Sequence, residues 1–330
     1  MKAWVIDRNE GRGVLRLADL PDPVPGPDDL LLKMRAAGLN RADLGRNAGH
    51  YERIATRPAH PIAGLEAAGE VIGMGHAVKG WAIGERVMGM LSGGHAEQVL
   101  IDHRLAVRVP PGLSWAQAAA LPVALFTAHD ALVGNARLTK GEVVFIQAAA
   151  SGVGIACAQI ARAMGAALVA GTASAPKLAR LADYGLTHGI DYASDYASDN
   201  VVDAVMRASA GRGVDVIVDM VGAKAIADHL AMAALRARWI QVGRMGGIAG
   251  SIDLDVLAKK RISLMGVTFR TRDIDEFGDV VRAAWRDFGA SVAAGTFAMP
   301  VEKVFALAEA DKAQAAMREN RHFGKFVVET

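Results

Sequence analysis

Cysteine is almost missing from this chain: among 330 residues there is one, Cys157. A single cysteine excludes an intramolecular disulfide and any cysteine-based zinc knuckle, and it points to a reducing, cytoplasmic compartment, although many exported bacterial proteins also carry a single cysteine. Aromatic residues make up only 5% of a chain that is 52% hydrophobic, so small aliphatic side chains must build the core. Proline is sparse at 11, and the 36 glycines follow no collagen-like or low-complexity period. Charge of one sign is lacking too. The 37 basic and 35 acidic residues leave a formal +2, too weak a field to hold nucleic acid or an acidic membrane. The start carries Lys2, Asp7, Arg8 and Glu10, without the apolar core and cleavage site of a signal peptide. One uncharged stretch, Val143–Ala161, reaches the length of a membrane span. Gln147, Ser151, Gly152, Gly154 and Gln159 inside it instead suit a strand, a tight turn and a buried helix.

What is present is a change of rhythm. A chain of this length has room for two domains, and no repeat at solenoid spacing is visible. The first third reads as short strands joined by Gly/Pro turns: Lys2–Ile6, Leu30–Ala37, Glu66–Met74, Glu85–Met90 and Ala96–Ile101, with Pro21–Pro27 as a connector. Ser114 and Gln117 make a capping box for a helix over Ser114–Ala120. From about residue 124, strand and helix alternate. The strands fall at Val143–Ala148, Ala167–Thr172, Gly189–Tyr192, Val214–Val221, Trp239–Val242 and Ser263–Phe269. Helices are predicted at Ile155–Gly165, Pro176–Tyr184, Val201–Ser209 and Ala223–Ala237. Continuous apolar strands between helices predict a parallel sheet covered on both faces, an α/β fold of doubly wound type. The predicted division is a nucleotide-binding domain over 124–272 and a second domain made of 1–123 and 273–330, the latter closing on a strand at Gly324–Val328.

The turn Ala148-Ala-Ala-Ser-Gly-Val-Gly154 lies between the first of these strands and its helix. Small residues such as Ala150, Ser151, Gly152 and Val153 let backbone N–H groups approach a pyrophosphate at a helix N-terminus. The usual G-x-G-x-x-G fingerprint fails, because Ala149 and Ser151 stand at its first two glycines. A tight turn with no ligand is the alternative; its place after the first strand of six favours a dinucleotide. NAD sites carry an acid at the end of the second strand. Here that position reads Gly171-Thr-Ala-Ser-Ala-Pro-Lys177, and Ser174 with Lys177 suits a 2′-phosphate, hence NADPH. The competing view makes Ser174 a helix cap and Lys177 a solvated charge, although a helix start prefers an acid.

Taken together, the motifs resemble the medium-chain dehydrogenase/reductase superfamily and its zinc-free quinone oxidoreductase branch. They are Ala37-Gly-Leu-Asn-Arg-Ala-Asp-Leu44, Gly64-Leu-Glu-Ala-Ala-Gly-Glu-Val71, Gly84-Glu-Arg-Val87, the loop at 148–154, Val218-Asp-Met-Val-Gly222, Val242-Gly-Arg-Met-Gly-Gly247 and His322-Phe-Gly-Lys-Phe-Val-Val328. The resemblance implies a GroES-like, mostly-β catalytic domain beside a Rossmann domain, a homodimer, and a small-molecule quinone or enone as substrate. It places Asn40 beside the nicotinamide ribose or a substrate carbonyl and Thr127 against the nicotinamide. Tyr192 joins Ser174 and Lys177 at the 2′-phosphate, Gly243 and Phe269 line the nicotinamide pocket, and Lys325 contacts the cofactor. For Asn40 the alternative is a turn-forming role, and for Tyr192 a plain strand-end aromatic.

The positions that hold catalytic zinc in metal-dependent relatives correspond to Asn40, Leu65 and Val123, and neither Leu nor Val can ligate. The four-cysteine structural lobe of those relatives is missing as well. The resemblance therefore implies metal-free hydride transfer to an activated double bond or quinone, with Asn40 and Tyr51 as hydrogen-bond donors to the developing oxyanion. A second family tyrosine is replaced by Gly45. Arg270 and Arg272 either meet a substrate or neighbouring subunit or are solvated charges. A rival of another class is an NADPH-binding structural protein of the lens-crystallin kind; an alcohol dehydrogenase is opposed by Leu65 and Val123.

Overall fold

The structure is a computed structural model and describes residues 1–7, 13–47, 61–192 and 201–330. It divides into two compact units, Met1–Phe126 with Phe269–Thr330, and Thr127–Thr268. The boundaries anticipated after 123 and 272 thus sit at 126 and 268.

In the first unit, β1 (Lys2–Asp7) and β2 (Val14–Asp19) form an antiparallel pair. The main sheet is built on β3 (Asp29–Gly38), whose Leu30, Leu32, Met34 and Ala36 are wholly buried while Lys33 points to solvent. That alternation is the two-residue period of a strand with one face on a core. Helix α1 (Arg41–Asn47) follows, then β4 (Glu66–Met74), β5 (Arg86–Met90), β6 (Gln98–Asp102) and β7 (Ala106–Arg108). Helix α2 (Trp115–Ala119) starts on the expected capping box: the Gln117 amide donates to Ser114 Oγ at 3.2 Å, and the Ser114 amide donates to Gln117 Oε1 at 2.9 Å. Helix α3 (Pro122–His129) leads from this unit into the next.

The second unit carries β8 (Val143–Ile146), α4 (Gly152–Ala163), β9 (Leu168–Ala173), α5 (Ala175–Leu181), β10 (His188–Asp191), α6 (Val201–Ala208), β11 (Val214–Asp219), α7 (Ile226–Met232), β12 (Ala233–Gln241), α8 (Leu254–Lys260) and β13 (Ser263–Gly266). Its sheet is parallel throughout, in the order β10-β9-β8-β11-β12-β13. This is the doubly wound order with the first strand central and the chain reversing direction beside it. Phe145, Ile217 and Trp239 lie in the core packed on this sheet. The Val143–Ala161 stretch is indeed strand, turn and helix. Among the described residues one helical stretch, Trp115–Asn135, is long and apolar enough to cross a membrane, and 83% of its most apolar window is buried inside the protein.

The chain then returns to the first unit through α9 (Ile274–Ala293), β14 (Val301–Ala306), α10 (Ala310–Arg318) and β15 (Lys325–Glu329). Its seven-stranded sheet runs β14-β15-β3-β4-β5-β7, with β6 also paired to β3.

Two expectations need correction. The helix foreseen over 223–237 ends at Met232, and Ala233 turns into the extended β12, pairing with Val214. Alanines favour a helix locally, but the sheet needs a fifth strand there, and tertiary pairing wins. The sixth strand stops at Gly266 rather than Phe269, and Phe269 belongs to the first unit, its ring 4.5 Å from that of Phe277.

Candidate active site and cofactor loop

In the first unit, three polar side chains meet where the start of α1, β4 and β15 come together. Glu66 is 0% exposed, and Lys325 is 4% exposed. Antiparallel pairing of β15 with β3, and of β3 with β4, carries the two charges to one place although 259 residues separate them. Lys325 Nζ donates to Glu66 Oε1 and, at 2.6 Å, to Asn40 Oδ1. Asn40 Nδ2 donates to Glu66 Oε1 at 2.8 Å, and the Val123 amide donates to Glu66 Oε2 at 2.8 Å. A buried ion pair survives desolvation only when further hydrogen bonds satisfy its remaining lone pairs and protons, and this one has them.

Asn40 immediately precedes α1, and the turn there uses the Asn40 backbone together with Asp43. The Asn40 amide donates to Asp43 Oδ2 at 2.7 Å, and the Asp43 amide donates to the Asn40 carbonyl at 2.9 Å. The Asn40 side chain is therefore not spent on the turn. Burial pushes the Asp43 carboxyl up to about 7, against the opposing effects of the Asn40 amide, Lys325 and Arg46. Its Oδ1 is buried without a hydrogen-bond partner among the described residues.

The three positions that the family resemblance sets against zinc ligands, Asn40, Leu65 and Val123, lie in or next to this cluster. Asn40 and Val123 both donate to the Glu66 carboxylate, and Leu65 is its chain neighbour. No group of three or more His, Cys, Asp or Glu side chains among the described residues could hold a metal ion.

In the second unit, Ser151 caps α4, accepting a hydrogen bond from the Gly154 amide at 3.1 Å. The amides of Gly152 and Val153 lie in the first helical turn, where no intrahelical acceptor exists, and both residues are only half-buried. Ala150 beside them is buried. Ala148 takes a left-handed φ of 56° to bend the chain, and a Cβ on Gly154 would stand 2.6 Å from the carbonyl oxygens of Ala148 and Ala149. That glycine is kept because the helix start closes directly on the loop. The arrangement fits a pyrophosphate.

At the end of β9, Ser174 occupies the N-cap of α5 but makes no side-chain capping bond, so capping does not use up its hydroxyl. The Lys177 amide donates to the Ser174 carbonyl at 2.8 Å, and the Tyr192 amide donates to the Ala173 carbonyl at 3.3 Å. Parallel pairing of β10 with β9 thus brings the exposed Tyr192 to the strand end that Ser174 follows, with Lys177 in the first turn of α5. The three residues suit a 2′-phosphate.

The other anticipated residues lie as follows. Thr127 is buried in α3. Gly243 follows β12, its amide donating to the Asp219 carbonyl at 3.0 Å, and a Cβ there would stand 2.5 Å from the Met220 carbonyl oxygen. Arg272 sits with its guanidinium 5.3 Å from the Phe269 ring. Tyr51 lies outside the described residues.

Glu66 and Asp43 were not picked out from sequence. The available signal was opposite charges in two mostly apolar segments, Glu66 (with Glu70 further on) in Gly64–Val71 and Lys325 in Phe323–Val328. A lone buried charge is costly, so two such strands ask for each other.

A pyrophosphate loop on a doubly wound sheet, joined in one chain to a β-rich unit with a buried polar cluster, defines a dinucleotide-dependent oxidoreductase of two-domain type. Residues 26–111 match the alcohol dehydrogenase GroES-like domain, and residues 152–286 match the zinc-binding dehydrogenase family. Quinone oxidoreductase of Rattus norvegicus is 33% identical over 283 residues, covering 84% of this chain and 83% of that protein. A mycocerosic acid synthase-like polyketide synthase of Mycobacterium tuberculosis is 33% identical over 310 residues, 92% of this chain but 14% of that protein. The chain spans only 5 to 49% of the length of several other curated relatives that it matches. A mycobacterial structure complexed with NADPH superposes with a TM-score of 0.86 at 27% identity, covering 100% of both chains. The chain belongs to the medium-chain dehydrogenase/reductase superfamily, in its quinone oxidoreductase branch.

Proposed function

We propose that this protein is an NADPH-dependent, metal-free reductase that delivers hydride to a quinone or an α,β-unsaturated carbonyl. The observation that carries the reading is the Glu66–Lys325–Asn40 cluster at the place where a catalytic metal would need ligands. A divalent cation on Asn40 Oδ1 would stand against the Lys325 ammonium, 2.6 Å from that oxygen, and Leu65 and Val123 offer it no donor atom.

The Ser151 loop with Ser174, Lys177 and Tyr192 would hold NADPH, which when bound would supply the hydride. A saturated ketone needs a strong electrophile on its oxygen. A quinone or enone accepts hydride at a remote atom and needs only hydrogen bonding to the oxygen where charge collects. The Asn40 carboxamide provides that.

The test is paired assays of NADPH oxidation with a para-quinone, an enone and a saturated ketone, run beside elemental analysis. Turnover of the quinone or enone, with the saturated ketone slow and zinc well below one per chain, is expected. Faster turnover of the ketone, or stoichiometric zinc lost together with activity on chelation, refutes the reading.

A further inference from the structure

The Asn40 carboxamide is held at both ends by groups of opposite polarity. An ammonium can only donate and a carboxylate can only accept. With Lys325 Nζ 2.6 Å from Oδ1, and Glu66 Oε1 2.8 Å from Nδ2, the amide has one stable orientation. Turning it over would set its NH2 against the ammonium and its oxygen against the carboxylate. Glu66 is itself fixed: its other oxygen accepts from the Val123 amide at 2.8 Å, and its Oε1 lies so close to the Gly38 backbone that a Cβ there would overlap it. One N–H of Asn40 has no partner among the described residues.

We propose that Glu66 and Lys325 are positioning residues, a polarity clamp that makes Asn40 a fixed hydrogen-bond donor toward an acceptor oxygen of the substrate. The inference rests on the reductase reading above and narrows its substrate class. The clamp selects electron acceptors whose oxygen gains negative charge as hydride arrives. Lys325 acts through Asn40 rather than by touching the cofactor.

The test is a cycle of isosteric variants: Asn40→Leu, the charge-free double variant Glu66→Gln/Lys325→Met, and the triple combination. The double variant avoids leaving either charge buried alone, and thermal unfolding establishes that each protein is folded. For a clamp acting through Asn40, the single and double variants each lower kcat with a quinone by about a hundredfold, the scale of losing one donor to a developing oxyanion. The triple variant is no slower than either, and the NADPH dissociation constant, followed by cofactor fluorescence, is unchanged in all three. Losses that multiply in the triple variant, or NADPH binding weakened in step with kcat in the double variant, overturn the proposal. A readout independent of turnover is the Asn40 side-chain amide in the NMR spectrum of the intact protein, assigned by its loss in Asn40→Leu. One strongly deshielded N–H, collapsing in the double variant, is expected. A free-amide signature in the wild type overturns the clamp even if quinones react. Clamp signals without quinone or enone turnover leave the clamp standing and remove the reductase reading.

Discussion

Gly38 and Glu66 exclude each other's enlargement: a Cβ on Gly38 would overlap Glu66 Oε1 and stand 2.5 Å from the Ala119 carbonyl oxygen. The glycine is required by this close approach, since the carboxylate must sit against the β3 backbone to reach Asn40, Val123 and Lys325 together. Gly38→Ala is expected to cost about 1–3 kcal/mol of stability, the range for overpacking a tight interior. It should also lower quinone turnover by displacing Glu66. Denaturant midpoints and steady-state rates check it; a variant as stable and active as wild type would show that the carboxylate has other room.

Cofactor choice rests on the end of β9, where no acid stands and the Ser174 hydroxyl makes no capping bond. Hydrogen bonds to charged groups contribute about 1.5–3 kcal/mol, or one to two decades in affinity. Lys177→Ala should weaken NADPH by about that factor and scarcely alter NADH, with the difference shrinking as salt rises. Tyr192→Phe should cost less, because only a hydroxyl is lost. Paired titrations of both cofactors decide; equal losses would mean that Lys177 acts through structure alone.

The doubly wound unit was legible because its central strands β8, β9 and β11 are largely apolar runs that alternate with helices, a pattern that survives without knowledge of partners. The cofactor loop was legible for a related reason, since its place after the first strand stood in for the missing glycines at Ala149 and Ser151. What escaped was structure with no apolar signature. Strand β2 is mostly exposed, β7 has three residues, and α1 buries Asp43 and Asn47 instead of a hydrophobic stripe. Edge strand β14 reads Val-Glu-Lys-Val-Phe-Ala, with its charges outward. Asn40 and Lys325 were each visible as motif residues, but their meeting depends on antiparallel pairing of β15 with β3, which no local pattern encodes. Glu66 was hidden for the same reason.

Strand β13 ends the parallel sheet with an open edge, and its Leu264 is 43% exposed. An uncovered edge of this kind invites pairing with another chain. A homodimer through the nucleotide-binding units is expected from light scattering at micromolar concentration. Leu264→Lys should shift it toward monomer without weakening NADPH, since the residue lies away from the Ser151 loop in the sheet order. A strictly monomeric wild type would remove the assembly.

The buried Asp43 carboxyl sets a pH dependence that can be worked out in sign. In the unfolded chain an aspartate releases its proton near pH 3.9; in the folded protein burial holds it until about 7. Between these values the folded state binds the proton that the unfolded state has lost, so stability falls as pH rises. The contribution is fully present below about pH 4 and gone above about pH 7. The difference of roughly three pKa steps corresponds to about 4 kcal/mol as an upper figure. The groups facing Asp43 act in both directions, with Lys325, Arg46 and the Asn40 amide favouring the charged form and Glu66 opposing it. In Asp43→Asn the Asn40 amide, 2.7 Å from Oδ2 in the wild type, still finds an oxygen acceptor, and no charge is left to bury. The variant should match wild type near pH 4 and become the more stable protein as pH rises to 8. Urea denaturation of both proteins across that range measures the gap directly. Parallel stability curves would mean that Asp43 titrates normally.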